Sequence, residues 1–311
     1  MTSPRSAAEG VTLVELIVAG ALTLVIGGVV LTLLAGYINL SIVNHDIMTA
    51  ASRAGMVFLV LERPLHHAGL GLPTSSSADY AGAWGGDGPL VKDWDNDWHD
   101  AVYIAADNRE IGAVYAVPAG LFVDSGPDDG GRLTLLSQNL PADIVPGGAA
   151  NLDSWIVAPG TASAYPMEVT ANQTGADGTL MIRVPGASGY TLYPHQELHR
   201  LKAFRAFVDD SHNFRMVEVT DQSGWNDLEG VGVAIEGIRA VRFLQSADRK
   251  TLEIRVLAMG DSKGLGSYET LAAQFRSRWP ELGDDPADGS RYVEEFITRL
   301  RIRNMEERDD V

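Results

Sequence analysis

Between residues 11 and 44 the sequence carries a single formal charge, the carboxylate of Glu15. Leu, Val, Ile, Ala and Gly fill most of the rest. Leu, Ile and Val each favour membrane insertion by roughly 0.3–0.6 kcal/mol, whereas a central acid costs about 2.5–3.5 kcal/mol. The run therefore inserts in spite of Glu15. A carboxylate kept in such surroundings needs a cationic partner, because an unpaired charge in a low dielectric is heavily penalised. Its chemistry is charge pairing, and its neighbours Gly10, Val11, Thr12 and Leu13 carry no cationic side chain.

Other residues suit metal chemistry. Asp93, Asp95, Asp97 and Asp100 alternate through Asp93-Trp94-Asp95-Asn96-Asp97-Trp98-His99-Asp100, a spacing that fits a hard cation such as calcium. The stretch is not an EF-hand loop, since Trp98 stands where that loop needs Gly and Ile104 where it needs Glu. Asp124, Asp128 and Asp129 make a second acidic turn. Solvated turns are the simpler reading of both, with calcium the alternative. His195, Glu197 and His199 occur in the order His-Gln-Glu-Leu-His, which is not the His-Glu-x-x-His zinc arrangement. Pro194 and a β-like context argue against a helix presenting both histidines to one metal. His66 and His67 are adjacent and expected to diverge. No phosphate loop, nucleophile elbow or dinucleotide fingerprint is present, so no catalysis and no cofactor is expected.

The element that must position Glu15 is a long helix. No proline occurs from residue 11 to 63, so one helix can run through the apolar stretch to about residue 62, roughly 80 Å at 1.5 Å per residue. Residues 11–40 are long enough to span a bilayer. Beyond Asn44, Ile47, Ala51, Ala54, Phe58 and Leu61 recur at three- and four-residue steps, with Asp46, Ser52, Arg53 and Glu62 at polar positions. This predicts a half-helix, 41–63, packed by one face on a sheet. Gly20, Gly27, Gly28 and Gly36 serve either close packing in lipid or a helix able to bend. Pro64 ends or kinks the helix.

The remainder reads as β-structure. Apolar or alternating runs at 101–106, 112–117, 132–137, 154–158, 167–171 and 180–184 stand between turn signals. Runs at 204–208 and 214–219 flank Asp209-Asp210-Ser211-His212-Asn213 and predict a hairpin. A second pair is expected from 237–244 and 251–257, and a late strand from 296–304. Strands without intervening helices imply antiparallel pairing, so the fold class is α+β, a long N-terminal helix packed on a largely antiparallel sheet domain. The 311 residues hold no cysteine, so no disulfide staples the domain. A formal net charge of −17 disfavours nucleic acid as a partner.

Gly10, Val11, Thr12-Leu13 and Glu15 together resemble the class III prepilin signal of type IV pilins and pseudopilins. Val11 replaces the commoner phenylalanine, and Glu9 stands where a basic residue often precedes the glycine. The resemblance implies a leader, 1–10, cut after Gly10 by prepilin peptidase. Val11 would then be N-methylated, and Glu15 would pair with the Val11 ammonium of a neighbouring subunit. It also implies a helix over 11–63 and a periplasmic β-rich domain over 64–311. Four later stretches are similar to PilW-type minor pilins: the leucine-rich turn from Phe58 to Leu70, the Glu236-Gly237-Ile238 step into a strand, the strand from Thr251 to Ala258, and the closing strand from Arg291 to Asn304. A minor pilin of this kind is expected in the inner membrane as a single-pass protein and later at the pilus tip. Its expected partners are the peptidase, other minor pilins, the major pilin, the assembly platform and the lipid bilayer. Two alternatives carry the same anchor: a minor pseudopilin of type II secretion, and a membrane-tethered, calcium-dependent adhesin.

Overall fold

The structure is a computed structural model in which residues 12–72, 101–148, 151–160, 166–175, 178–185, 191–220, 232–263, 278–279 and 291–302 are described. Its first element, α1, spans Leu13–His66 and is 54 residues long. The helix passes unbroken through Gly20, Gly27, Gly28 and Gly36, where an added Cβ would meet nothing within 4 Å. The hydroxyls of Thr23 and Thr32 donate to the carbonyls of Ala19 and Gly28 at 2.8 Å each. Both polar groups are thus satisfied inside the helix, as an apolar surrounding requires. Among the described residues, this is the one helix long and apolar enough to cross a membrane, and its most apolar 18-residue window buries nothing against the rest of the chain.

Burial begins at Asp46 and continues through Ala50, Ala54, Val57, Leu61, Pro64 and Leu65. The helix is therefore rotated from the expected face. Ala54 and Leu61 lie inward as predicted, but Ile47 is 38 % exposed, Ala51 is exposed and Phe58 only half-buried. Small side chains at 50 and 54 explain the choice, since they let the backbone approach the sheets more closely than Ile47 or Phe58 would. Pro64 neither stops the helix nor stands outside it. It sits in the last turn, and the N–H of His67 still reaches the Arg63 carbonyl at 3.3 Å. A proline there forfeits only one terminal backbone bond, and its ring is buried.

Thirteen strands are described: β1 Val102–Ile104, β2 Ile111–Ser125, β3 Arg132–Leu135, β4 Trp155–Val157, β5 Met167–Glu168, β6 Ala171–Thr174, β7 Leu180–Arg183, β8 Glu197–Val208, β9 Asn213–Val219, β10 Gly232–Glu236, β11 Ile238–Gln245, β12 Thr251–Lys263 and β13 Arg291–Arg301. The larger sheet runs β10-β9-β8-β2-β3-β7-β6, with β1 on β2, β4 on β8 and β5 on β4. The smaller sheet is β11-β12-β13. Every described pairing is antiparallel, as expected for strands linked without helices.

Both predicted hairpins form. β8 and β9 pair from Ala203 opposite Val219 to Val208 opposite Phe214. Their turn is closed by Asp209, whose carboxylate accepts from the N–H of Ser211 at 3.0 Å and of Asn213 at 2.9 Å. β11 and β12 pair from Ile238 to Gln245 with one bulge. The inner face of α1 is gripped by both sheets. Ala50, Ala54, Val57, Leu61 and Leu65 share one core with Phe204 and Phe214 from the larger sheet and Phe243, Ile254 and Val256 from the smaller. Beyond the helix, the N–H of Gly69 donates to Val114 at 3.0 Å and Ala68 bridges Tyr115, which ties the helix end to β2.

Candidate functional site

The N-terminus of α1 is capped by Thr12. Its hydroxyl accepts from the N–H of Glu15 at 3.2 Å, and the Glu15 carboxylate accepts from the Thr12 N–H at 2.8 Å and its hydroxyl at 3.0 Å. This is a reciprocal capping box, which satisfies two of the amides a helix start leaves unpaired. Threonine followed three residues later by glutamate is a capping signal the sequence displays plainly. Among the described residues nothing covers Glu15, which is exposed on the stem. Its carboxylate also sits at the positive end of the helix dipole, where an anion is favoured and a new ammonium would be disfavoured unless neutralised. Gly10 and Val11, the expected cleavage and methylation positions, lie outside the described residues.

At the other end of the free stem a second group of polar residues fixes the helix to the smaller sheet. Asp46 is fully buried, and its Oδ1 accepts from the N–H of Asp261 at 3.0 Å. Gly260 lies directly against it: a Cβ there would stand 2.7 Å from that of Asp46. Two turns further along the helix, Arg53 donates to the Met259 carbonyl and to the Asp261 carboxylate, both at 2.6 Å. The end of β12 is thus clamped by three bonds from one helix face. The sequence reading put Asp46 and Arg53 at water-facing positions. Their partners are more than 200 residues away, so periodicity alone gives no sign of them.

The metal candidates fare differently. Asp93, Asp95, Asp97 and Asp100, the calcium candidates, lie outside the described residues. In the second acidic turn, Asp128 accepts from the N–H of Gly130 at 2.9 Å and of Arg132 at 2.8 Å, so it closes its own turn. His195 adopts a left-handed φ of +65° ahead of β8, while Glu197 and His199 lie within β8. The β context predicted for this trio holds for Glu197 and His199, while His195 lies in the turn before the strand. The rings of His66 and His67 were expected to diverge but stand in edge-to-face contact, 5.6 Å between centroids at 89°. Among the described residues no three His, Cys, Asp or Glu side chains are grouped to hold a metal. No family model, no curated protein and no solved structure matches this chain.

Proposed function

We propose that the chain is a PilW-like minor pilin that helps to initiate a type IV pilus. One observation carries the reading: a lone glutamate stands five residues beyond a glycine, at the start of a 54-residue helix whose apolar part is bare and whose second half bears a β-domain. A bare apolar stem suits lipid first and the stems of other subunits later. Cleavage after Gly10 would leave an ammonium on Val11, next to the capped turn. That cation sits against the helix dipole, so it draws a carboxylate. In a single chain Glu15 caps Thr12. In an assembly the Glu15 of one subunit would exchange that cap, worth about 1 kcal/mol, for a charge-assisted pair with the Val11 ammonium of the next. The pair would set register, and the domain would face the periplasm and then the pilus tip. No step needs catalysis by this chain.

The test is the intact mass of the protein from cells with and without prepilin peptidase. With the enzyme, the chain is expected to lack residues 1–10 and to carry one methyl group on Val11. An intact Met1 leader in the presence of active peptidase would overturn the proposal. Glu15→Val should be cut and inserted but fail to enter pili, and normal entry would remove the registry role.

A further inference from the structure

Far from the stem, β3, β7 and β6 form one wing of the larger sheet. On β3, Leu133 and Leu135 are buried, which turns Arg132 and Thr134 outward. On β7, Leu180 and Ile182 are buried, which turns Met181 and Arg183 outward. Register places Arg132 directly opposite Arg183, and Arg183 opposite Ala171 of β6. The next row is Thr134, Met181 and Gln173. Two arginines are therefore side by side on one face, with Cβ atoms about 4.5–5.5 Å apart for such a pair. Like charges so placed weaken a sheet.

Among the described residues neither guanidinium makes an ion pair. The acid beside them, Asp128, accepts from two backbone amides through Oδ1, and its charge acts on Arg132 without an ion-pair contact. Gly131, at φ +70°, lets the turn lie flat against β7: a Cβ there would stand 2.7 Å from the Val184 carbonyl. Between turn and strands a cleft of about 350 Å³ opens, lined by Asp128, Arg132, Asn172, Gln173, Met181 and Arg183. On a chain of net charge −17, two adjacent cations against one nearby carboxylate make this cleft a local concentration of positive charge.

We propose that this cleft binds a glycan bearing a single carboxylate. The carboxylate bridges Arg132 and Arg183, whose forked donors match its two oxygens. The amide of Gln173 meets a sugar hydroxyl, and Met181 with Ala171 offers an apolar patch to the C–H face of the ring. A polyanion is disfavoured, because each further negative charge meets the repulsion of the acidic chain. The proposal does not depend on the pilin reading, since it holds whether or not the leader is cut.

Full-length protein in detergent micelles, titrated with a trisaccharide ending in N-acetylneuraminic acid, tests it. Lactose and inorganic phosphate are the comparison ligands. The acidic trisaccharide should bind, lactose should not, and phosphate should bind at least about tenfold more weakly because it lacks the amide and apolar contacts. Arg132→Gln and Arg183→Gln should each weaken binding at least about tenfold while leaving the melting midpoint unchanged or raised, as loss of a like-charge pair requires. Arg183→Lys, which keeps charge but loses the fork, should fall between. Equal affinity for lactose or phosphate, no binding of the trisaccharide, binding unaltered by both glutamine variants, or glutamine variants that melt lower would each overturn the assignment.

Discussion

At the scale of single residues, Asp46 decides how stem and domain are joined. Its buried oxygen is the acceptor for the Asp261 amide. Asp46→Ala leaves that amide orphaned and is expected to cost about 1–3 kcal/mol, whereas Asp46→Asn, which keeps an acceptor, should cost less. Gly260→Ala drives a methyl into Asp46 and should cost about 1–3 kcal/mol as overpacking. Thermal unfolding of the three variants separates a lost acceptor from a lost fit. Titratable residues add a pH dependence. Hydrogen bonds from Arg255 and then Arg299 hold the Glu253 carboxyl below its usual range. At Asp209 burial pushes upward, but bonds from Arg215, Asn213 and Ser211 prevail and the net shift is downward. Burial lowers His199, and burial raises the Tyr115 phenol to about 12. For the first three, the unfolded chain binds protons more readily than the folded one. Stability should therefore decline gently as pH falls below about 6.5 and more steeply below about 4. Tyr115 has the opposite sign, and its share should vanish as pH rises from about 10 towards 12. Melting midpoints across pH should trace this dome, and a midpoint rising between pH 4 and pH 3 would contradict it.

At the scale of elements, the helix was legible in its existence and extent but not in its rotation. An apolar run without proline is enough to specify a helix. The choice between the stripe through Ile47 and Ala51 and the stripe through Asp46 and Ala50 turns on what the sheets present. Phe204, Phe214 and Phe243 fill the space opposite, so the helix offers alanines to them and an aspartate to a backbone amide. The observed rotation predicts a sharp contrast between neighbours. Ala50→Leu should overpack and cost about 1–3 kcal/mol, while Ala51→Leu on the exposed side should change stability by less than about 0.5 kcal/mol. Leu61→Ala should cost about 2–5 kcal/mol and Leu59→Ala almost nothing, since Leu59 is 69 % exposed. The hairpins were readable because turn residues sit between alternating runs. β6 was not, because Ala171, Asn172, Gln173 and Thr174 are all exposed and show no apolar alternation. β2 was read short, because Pro118 and Gly120 look like a turn. In the sheet they form an irregularity between Pro118 and Leu121, after which pairing with β8 resumes. Glu15 was legible as the lone charge of the apolar stem, and the arginine pair was not, since Arg132 and Arg183 meet only through strand register.

At the scale of the whole molecule, two parts with different needs share one helix. From Leu13 to Ser41 the stem gives the domain little: its side chains lie exposed, Ile42 and Val43 are half-buried, and full burial starts at Asp46. From Asp46 to Leu65 the same helix is a core element without which two sheets lose their common packing surface. The helix therefore has to be long for one purpose and fixed for another, and the clamp of Asp46 and Arg53 on the end of β12 lies where one purpose gives way to the other. This division predicts the outcome of two truncations. A chain starting at residue 41 keeps every buried helix residue, so it should be soluble without detergent and unfold cooperatively at a midpoint within about 2 °C of the full chain, a shift expected for less than about 0.5 kcal/mol. A chain starting at residue 67 loses Ala50, Ala54, Val57, Leu61 and Leu65 from the shared core. Each such side chain is worth roughly 1–3 kcal/mol of burial, against a total stability of about 5–15 kcal/mol, so this chain should show no cooperative transition. Circular dichroism melts of both decide the matter. If the chain from 41 melted far below the full-length protein, the stem would be holding the domain together, and the proposed transfer of the stem into a filament would be ruled out.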